Sequence, residues 1–399
     1  MTIFFVIHLI ARYCCRYHGW QFDSDGKVTS IPQLEETKSV ESIQKGRGNV
    51  QTFPVHPVGD LLFVFLPSSL HGEMFPQSIL PEEHYPLLTG EEKVQHFVRE
   101  LPYSFDFLVE NLMDPAHIPY AHHKLQSTRD DGSPIVMKQM LSNFTTVEVS
   151  FSDKTLNRTR DAYASFHRPS FFHYGEYSGE GIDEPTGKKS RVPQLEIFCV
   201  PVSAGKSRVL FTFSFSDSVK IPHFLDHAGL NRFLNSDVWL HDTEREVVRR
   251  KDAGLAEKKL VGMDYISASM SDTGMTSFRK WWQDNGMADA PAHTFSMATM
   301  KLLGPTRLDR SEQIDPWENH VKHCSTCRTA LKRMKKMQGV CLLMALLSTI
   351  LSRRAPILGI VGAGSSLLAR NLVKRFATAL EGNPERSKID DRSTSALAD

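Results

Sequence analysis

The chain has 399 residues, 41% hydrophobic and 23% charged, the make-up of a folded protein with two or three cores rather than a disordered chain. A formal net charge of +1 leaves no basic excess that would mark a nucleic-acid partner. Six unevenly spaced cysteines are not the framework of a disulfide-rich secreted domain.

In chain order, the first element is an apolar run, Ile3 to Ala11, too short to span a membrane and followed by no A-x-A cleavage site. It is also poor in Arg and Ser, so any organelle address is expected to lie outside this sequence. "CCRYHGWQFDSDGKV" follows, with Cys15 and His18 in a C-x-x-H that reads as one ligand loop of a metal cluster. "DSDGKV" is a hairpin signal, and residues 49–69 offer strand, turn and apolar strand. A polar, Pro-containing linker is expected over 80–93, closing a first domain over 1–93.

The second domain, 94–315, opens with a helix-like segment near 104–123. Strands are expected at 145–152, 194–201 and 207–216, and helix over 227–252, which makes the fold class α+β. Residues 316–337 carry the C-x-x-C of Cys324 and Cys327. Two apolar runs follow within 338–373, Gly339–Ser352 and Ala355–Ala369, each shorter than a confident span but flanked by basic residues suited to lipid headgroups. A short helical hairpin or interfacial anchor is expected there, and a loose polar tail over 374–399.

"ENLMDPAHIPYAHH", Glu110 to His123, is the most informative stretch. His117 and His122 are five residues apart, a step of about 500° on an unbroken helix, so the rings would diverge. Pro119 between them forces a kink or a stop and lets both imidazoles reach one ion. Two imidazoles plus a carboxylate with open positions is the ligand set of non-haem Fe(II) oxygenases.

The C-x-x-H-G-W at 15–20 and the N-x-x-D-x-x-H-x-x-x-x-H of Asn111, Asp114, His117 and His122 resemble the Rieske non-haem iron oxygenases. The similarity is to the chloroplast branch containing pheophorbide a oxygenase, a translocon-associated Rieske protein and a protochlorophyllide-linked oxygenase. "SDTGMTSFRKWW" (271–282), "HCSTC" (323–327) and the paired apolar runs resemble further features of that branch, so the resemblance covers roughly 14–375. It implies a partial β-rich Rieske domain, a helix-grip-like catalytic domain and a C-terminal helical membrane anchor.

By the same resemblance, Cys15 and His18 are half the ligands of a [2Fe–2S] cluster. His117, His122 and an acid from "NSDVWLHDTERE", Asp237 in preference to Asp242, hold a mononuclear Fe(II). Asp114 passes electrons across a subunit interface, which implies a homotrimer. The implied reaction is monooxygenation of a chlorophyll-derived, pheophorbide a-like tetrapyrrole with O₂, fed by a ferredoxin-type donor at a chloroplast membrane, inner envelope or thylakoid. Phe171, Phe172, Trp239 and Trp281 are candidate pocket residues. Cys324 and Cys327 read as a redox pair and thioredoxin target; zinc held with His320 and His323 is the open alternative. Cys199 is expected in the core, and Cys341 buried or in lipid. The family's partner loop, C-x-H, is absent from residues 1–14, so an N-terminally truncated chain is expected. The rival reading is a non-catalytic membrane protein that keeps the fold for redox sensing or import scaffolding.

Overall fold

The computed structural model describes residues 13–46, 48–53, 55–59, 61–64, 86–89, 94–155, 158–183, 188–214, 221–254, 267–286, 300–304 and 306–382. The apolar N-terminal run, most of the 80–93 linker and the last part of the polar tail lie outside them. The chain divides into two compact units, Met1–Gly90 and Glu91–Asp399.

In the first unit, β1 (Tyr13–Cys14), β2 (Gln21–Phe22) and β3 (Val28–Ser30) form an antiparallel sheet. The turn between β2 and β3 follows from "DSDGKV": Asp23 Oδ1 accepts from the Asp25 and Lys27 amides at 3.0 and 2.8 Å. Gly26 takes φ +78 there, and a side chain at that position would collide with the Val50 carbonyl. Helix α1 (Val40–Gln44) follows, then the hairpin β4 (Val55–Val58) and β5 (Leu61–Val64), then α2 (Pro86–Thr89).

The second unit is built on a seven-stranded antiparallel sheet. Its strands are β6 (Val94–Leu101), β7 (Val136–Ser142), β8 (Thr146–Thr155), β9 (Arg158–His167), β10 (Phe171–Asp183), β11 (Lys188–Ser203) and β12 (Lys206–Ser214). The order is β6-β12-β11-β10-β9-β8-β7, a meander with β6 added beside β12, so β6 and β7 are the edges. Register places one row of apolar side chains across six strands: Val147, Phe166, Phe172, Ile197, Phe211 and Phe97 are successive partners. All six belong to the main core.

The helix expected over 104–123 is three pieces: α3 (Phe105–Leu112), a 3₁₀ turn Pro115–His117, and α4 (Ile118–Ala121). Pro115 opens the 3₁₀ turn and Pro119 is the second residue of α4, so the break falls ahead of Pro119, in the first turn where proline is tolerated. The helix expected over 227–252 is likewise two, α5 (His223–Leu234) and α6 (Leu240–Asp252). Asn235, Ser236 and Asp237 separate them, residue types whose short polar side chains compete with helical hydrogen bonds. Helix α7 (Thr273–Trp281) packs on α3 and the sheet. Short turns at Met300–Leu303, Arg310–Gln313 and Pro316–Asn319 lead to α8 (Ser325–Leu351) and α9 (Pro356–Glu381).

These last two helices correct two expectations. They run 27 and 26 residues, well past the apolar stretches, and α9 carries helix through Lys374 to Glu381 where a loose tail was expected. Both are long and apolar enough to cross a membrane, and only 11% and 6% of their most apolar windows is covered by protein. Their bases do pack, with Leu331, Met334, Ala377 and Leu380 closing on Trp317 and Val321.

A buried cation holds α7 to α3. Arg279, from the F-R-K-W segment, donates to Asp106 Oδ2 at 2.6 Å and to Glu110, with its guanidinium over the Phe107 ring. Burial pushes Glu110 up to about 7 in spite of that partner. Arg279→Ala strands two buried carboxyl groups and is expected to lower the stability of the full chain by about 3–5 kcal/mol in denaturant titration.

Candidate functional site

α3 ends at Leu112 with Met113 as its C-cap, and Asp114 caps the following 3₁₀ turn, its Oδ1 accepting from the Ala116 amide at 2.9 Å. That short turn, then α4, swings His117 and His122 toward each other: their Nε2 atoms are 3.2 Å apart. Two nitrogens bound at about 2.1 Å to one ion would be about 3.0–3.4 Å apart. Asp237, from the α5–α6 turn, brings its Oδ2 to 3.4 Å from His122 Nε2. The three ligand-type atoms all lie within 4.8 Å of one another.

For rings in the neutral form that a metal requires, the hydrogen bonds decide which nitrogens are bare. Ser236 Oγ donates its only proton to the Phe233 carbonyl at 2.5 Å, so its contact with His122 Nδ1 at 2.8 Å must be an acceptor's. His122 is therefore protonated on Nδ1. His117 Nδ1 meets the Asp114 carbonyl, which can only accept, so it too carries the hydrogen. Both Nε2 lone pairs then face one point, and at 3.2 Å they repel unless a proton or a cation lies between them.

Burial tunes the same groups. It lowers His122 to about 3, which keeps the ring neutral, and His117 adds to the effect. It raises Asp237 to about 6, against the opposing pull of His117, the Asn111 side chain and Arg99. Asp237 is 1% exposed, and among the described residues its Oδ1 has no hydrogen-bond partner. A buried carboxylate oxygen with nothing to satisfy it fits a metal ligand.

Other sequence-selected residues fall elsewhere. Asp242 is partly exposed on α6 and bound by Arg307, outside the cluster. Asp114 is partly exposed, with Oδ2 at 3.9 Å from His117 Nδ1, and burial raises its pKa. Cys15 and His18 share the β1–β2 loop, closed by Cys15 N–H to the Trp20 carbonyl at 2.7 Å and Gly19 N–H to the Cys15 carbonyl at 2.8 Å. Phe171, Phe172 and Trp281 are buried packing residues and Trp239 is exposed. Cys199 is fully buried in the core and Cys341 is half-buried on α8.

Two residues were not anticipated. Arg99 on β6 donates to the Asn231 carbonyl at 2.5 Å and to Asn235 Oδ1 at 2.6 Å, and so pins the turn that carries Asp237. Its only sequence signal was a charge at a position that the pattern of β6 buries. His227 on α5 joins His320, Cys324 and Cys327 in a second group of buried ligand-type atoms, also within 4.8 Å of one another. His323 points instead to Glu100, at 3.5 Å.

The Rieske [2Fe–2S] domain family matches residues 10–54. Over most of its length the chain is homologous to chloroplast Rieske oxygenases, as the two ligand motifs had indicated. Protochlorophyllide-dependent translocon component 52 of Arabidopsis thaliana is 26% identical over 380 residues, spanning 82% of this chain and 64% of that protein. Pheophorbide a oxygenase of Oryza sativa subsp. japonica is 25% identical over 347 residues, 82% of this chain and 62% of the relative. Flavonoid 8-hydroxylase 2 of Ocimum basilicum is 25% identical over 397 residues, 92% and 71%. The chain thus spans under two thirds of the length of the first two relatives.

With the Asp237 carboxyl raised to about 6, a divalent ion entering the triad below that pH must displace its proton. From this group, ferrous affinity should be level well above that pH and fall below it with a slope approaching about tenfold per unit, as checked by competitive titration with a chelator.

Proposed function

We propose that the chain is an O₂-dependent Rieske-type monooxygenase whose mononuclear ferrous iron is held by His117, His122 and Asp237. The observation that carries this reading is the pair of bare Nε2 atoms, fixed by their tautomers, converging with the buried Asp237 carboxyl, whose Oδ2 lies 3.4 Å from His122 Nε2 and whose Oδ1 has no hydrogen-bond partner among the described residues. Three protein ligands leave positions open for reaction. Cys15 and His18 would provide one ligand pair of a [2Fe–2S] cluster, and the family match over 10–54 supports that cluster. When bound, the two centres supply single electrons and the reductive activation of O₂.

The chain's own residues prepare that chemistry. Ser236 and the Asp114 carbonyl orient the two rings, and their contacts hold each Nδ1 proton away from the ligand face. Arg99 steadies the Asp237 turn, and Phe233 lies flat against His122 at 3.7 Å, excluding water from one side. Asp114, at the surface end of this group, is the proposed bridge to the Rieske histidine of a neighbouring subunit, which implies a homotrimer.

A chlorophyll-derived tetrapyrrole of the pheophorbide a kind is the proposed substrate and a ferredoxin-type protein the proposed donor. A chloroplast membrane is the proposed location. The relatives' names support these, and helices α8 and α9 support the anchor. The three converging ligands favour catalysis over the rival reading of a redox-sensing or import scaffold.

In the iron-loaded full chain, Asp237→Ala should lose mononuclear iron and lower O₂-dependent turnover of pheophorbide a at least about a hundredfold. Asp114→Asn should keep the iron and slow turnover. Full turnover in Asp237→Ala would sink the assignment.

Leu346 and Ile360 are 57% and 69% exposed on α8 and α9. A lysine costs about 2.5–3.5 kcal/mol at the centre of a spanning helix. The double variant Leu346→Lys, Ile360→Lys should therefore wash off membranes in alkaline carbonate while the unaltered chain stays in the pellet.

A further inference from the structure

The second group of ligand-type atoms is unlike the first. Its members come from α5 (His227), from the turn before α8 (His320), and from the start of α8 (Cys324 and Cys327). All four are buried: His227 is 4% exposed, His320 and Cys327 0%, Cys324 9%. Both cysteines are free thiols.

Three of the six edges have lengths close to those of a tetrahedral site, and all four atoms lie within 4.8 Å of one another. His227 Nδ1 is 3.4 Å from the Sγ of each cysteine, and His320 Nε2 is 3.3 Å from Cys327 Sγ. Sulfur at about 2.3 Å and nitrogen at about 2.05 Å from one zinc ion would be about 3.6 Å apart. The surroundings also prepare the donors. His320 Nδ1 meets the Val98 carbonyl at 2.5 Å, so that nitrogen carries the hydrogen and Nε2 is bare toward Cys327. The Cys327 amide approaches Cys324 Sγ at 3.5 Å, where it would stabilise a thiolate. Phe97 stacks on His320 at 4.5 Å and sits edge-on to His227 at 5.4 Å, holding both rings.

We propose that His227, His320, Cys324 and Cys327 bind one Zn²⁺ in a closed, structural Cys₂His₂ site. Two thiolates and two neutral imidazoles cancel the ion's charge, and a neutral complex suits a site walled by Trp317, Val321 and Leu331. Four protein ligands leave no open position, which separates this site from the catalytic triad. The ion ties the base of α8 to α5 and, through Val98, to β6. α5 runs on into the turn bearing Asp237, so the site clamps the C-terminal helix pair to the catalytic unit. The inference does not depend on the oxygenase reading, because none of the four residues belongs to that triad.

The test uses the full chain, purified in detergent under reducing conditions without added metal. Mass spectrometry should find about one zinc per chain, and exchange with Co²⁺ should give thiolate-to-cobalt charge-transfer absorption with the intense ligand-field bands of a tetrahedral ion. His227→Ala should lower zinc affinity at least tenfold and dissolve the tetrahedral bands; a pair of cysteines acting alone gives His227 no such part. If that variant fails to fold, the cobalt spectrum of the unaltered chain still decides. Zinc-free protein, cobalt without thiolate bands, or Cys324 and Cys327 recovered joined in a disulfide would each overturn the proposal.

Discussion

Strand β6 is the constraint on which the rest depends. It sits at a sheet edge, where unpaired backbone groups need cover. Each successive residue at its end is tied to a different part of the unit. The Val98 carbonyl takes His320, and Arg99 takes Asn231 and Asn235. Glu100 takes Lys206 and Arg208, and the Pro102 carbonyl just beyond the strand takes His241 at 2.7 Å. Both ligand groups are therefore referenced to one strand, and Phe97 closes the apolar row of the sheet against His320. Arg99 is 1% exposed, and burial lowers its pKa to about 10. An arginine so placed is tolerable because it has partners, and it fixes the turn of Asp237 as a consequence.

The two ligand groups divide the work by donor type and number. Two imidazoles and a carboxylate, incomplete as a coordination shell, suit an iron that must bind a further molecule. Two thiolates and two imidazoles, complete, suit an ion that only holds. At His117, His122 and His320 a backbone or hydroxyl oxygen fixes the imidazole tautomer before any metal arrives, so little reorganisation of those rings remains on binding.

The triad was legible because its histidines lie in one short motif and proline chemistry predicts the break between them. The third ligand was narrowed to two acids by sequence; only the helix break at Asn235–Asp237 separates a buried Asp237 from a partly exposed, Arg307-bound Asp242. The zinc-type group was half legible. C-x-x-C and His320 stand in one stretch, but His227 is 93 residues from His320 in the chain and nothing local marks it. Strands β6, β7, β9 and β10 escaped because charged and polar residues such as Arg99, Glu100, Lys138 and Arg160 interrupt their apolar pattern. Two of those charges are satisfied by cross-strand pairs that no single strand reveals, Arg160 with Asp153 and Glu100 with Arg208.

The central claim is an iron with open positions at His117, His122 and Asp237, and the direct measurement is electron paramagnetic resonance of the reduced, iron-loaded chain exposed to nitric oxide. The account predicts the quartet signal of a high-spin ferrous nitrosyl, distinct from any iron–sulfur signal and absent in His122→Ala. An iron-loaded chain without that signal, or a signal undiminished in His122→Ala, would contradict it.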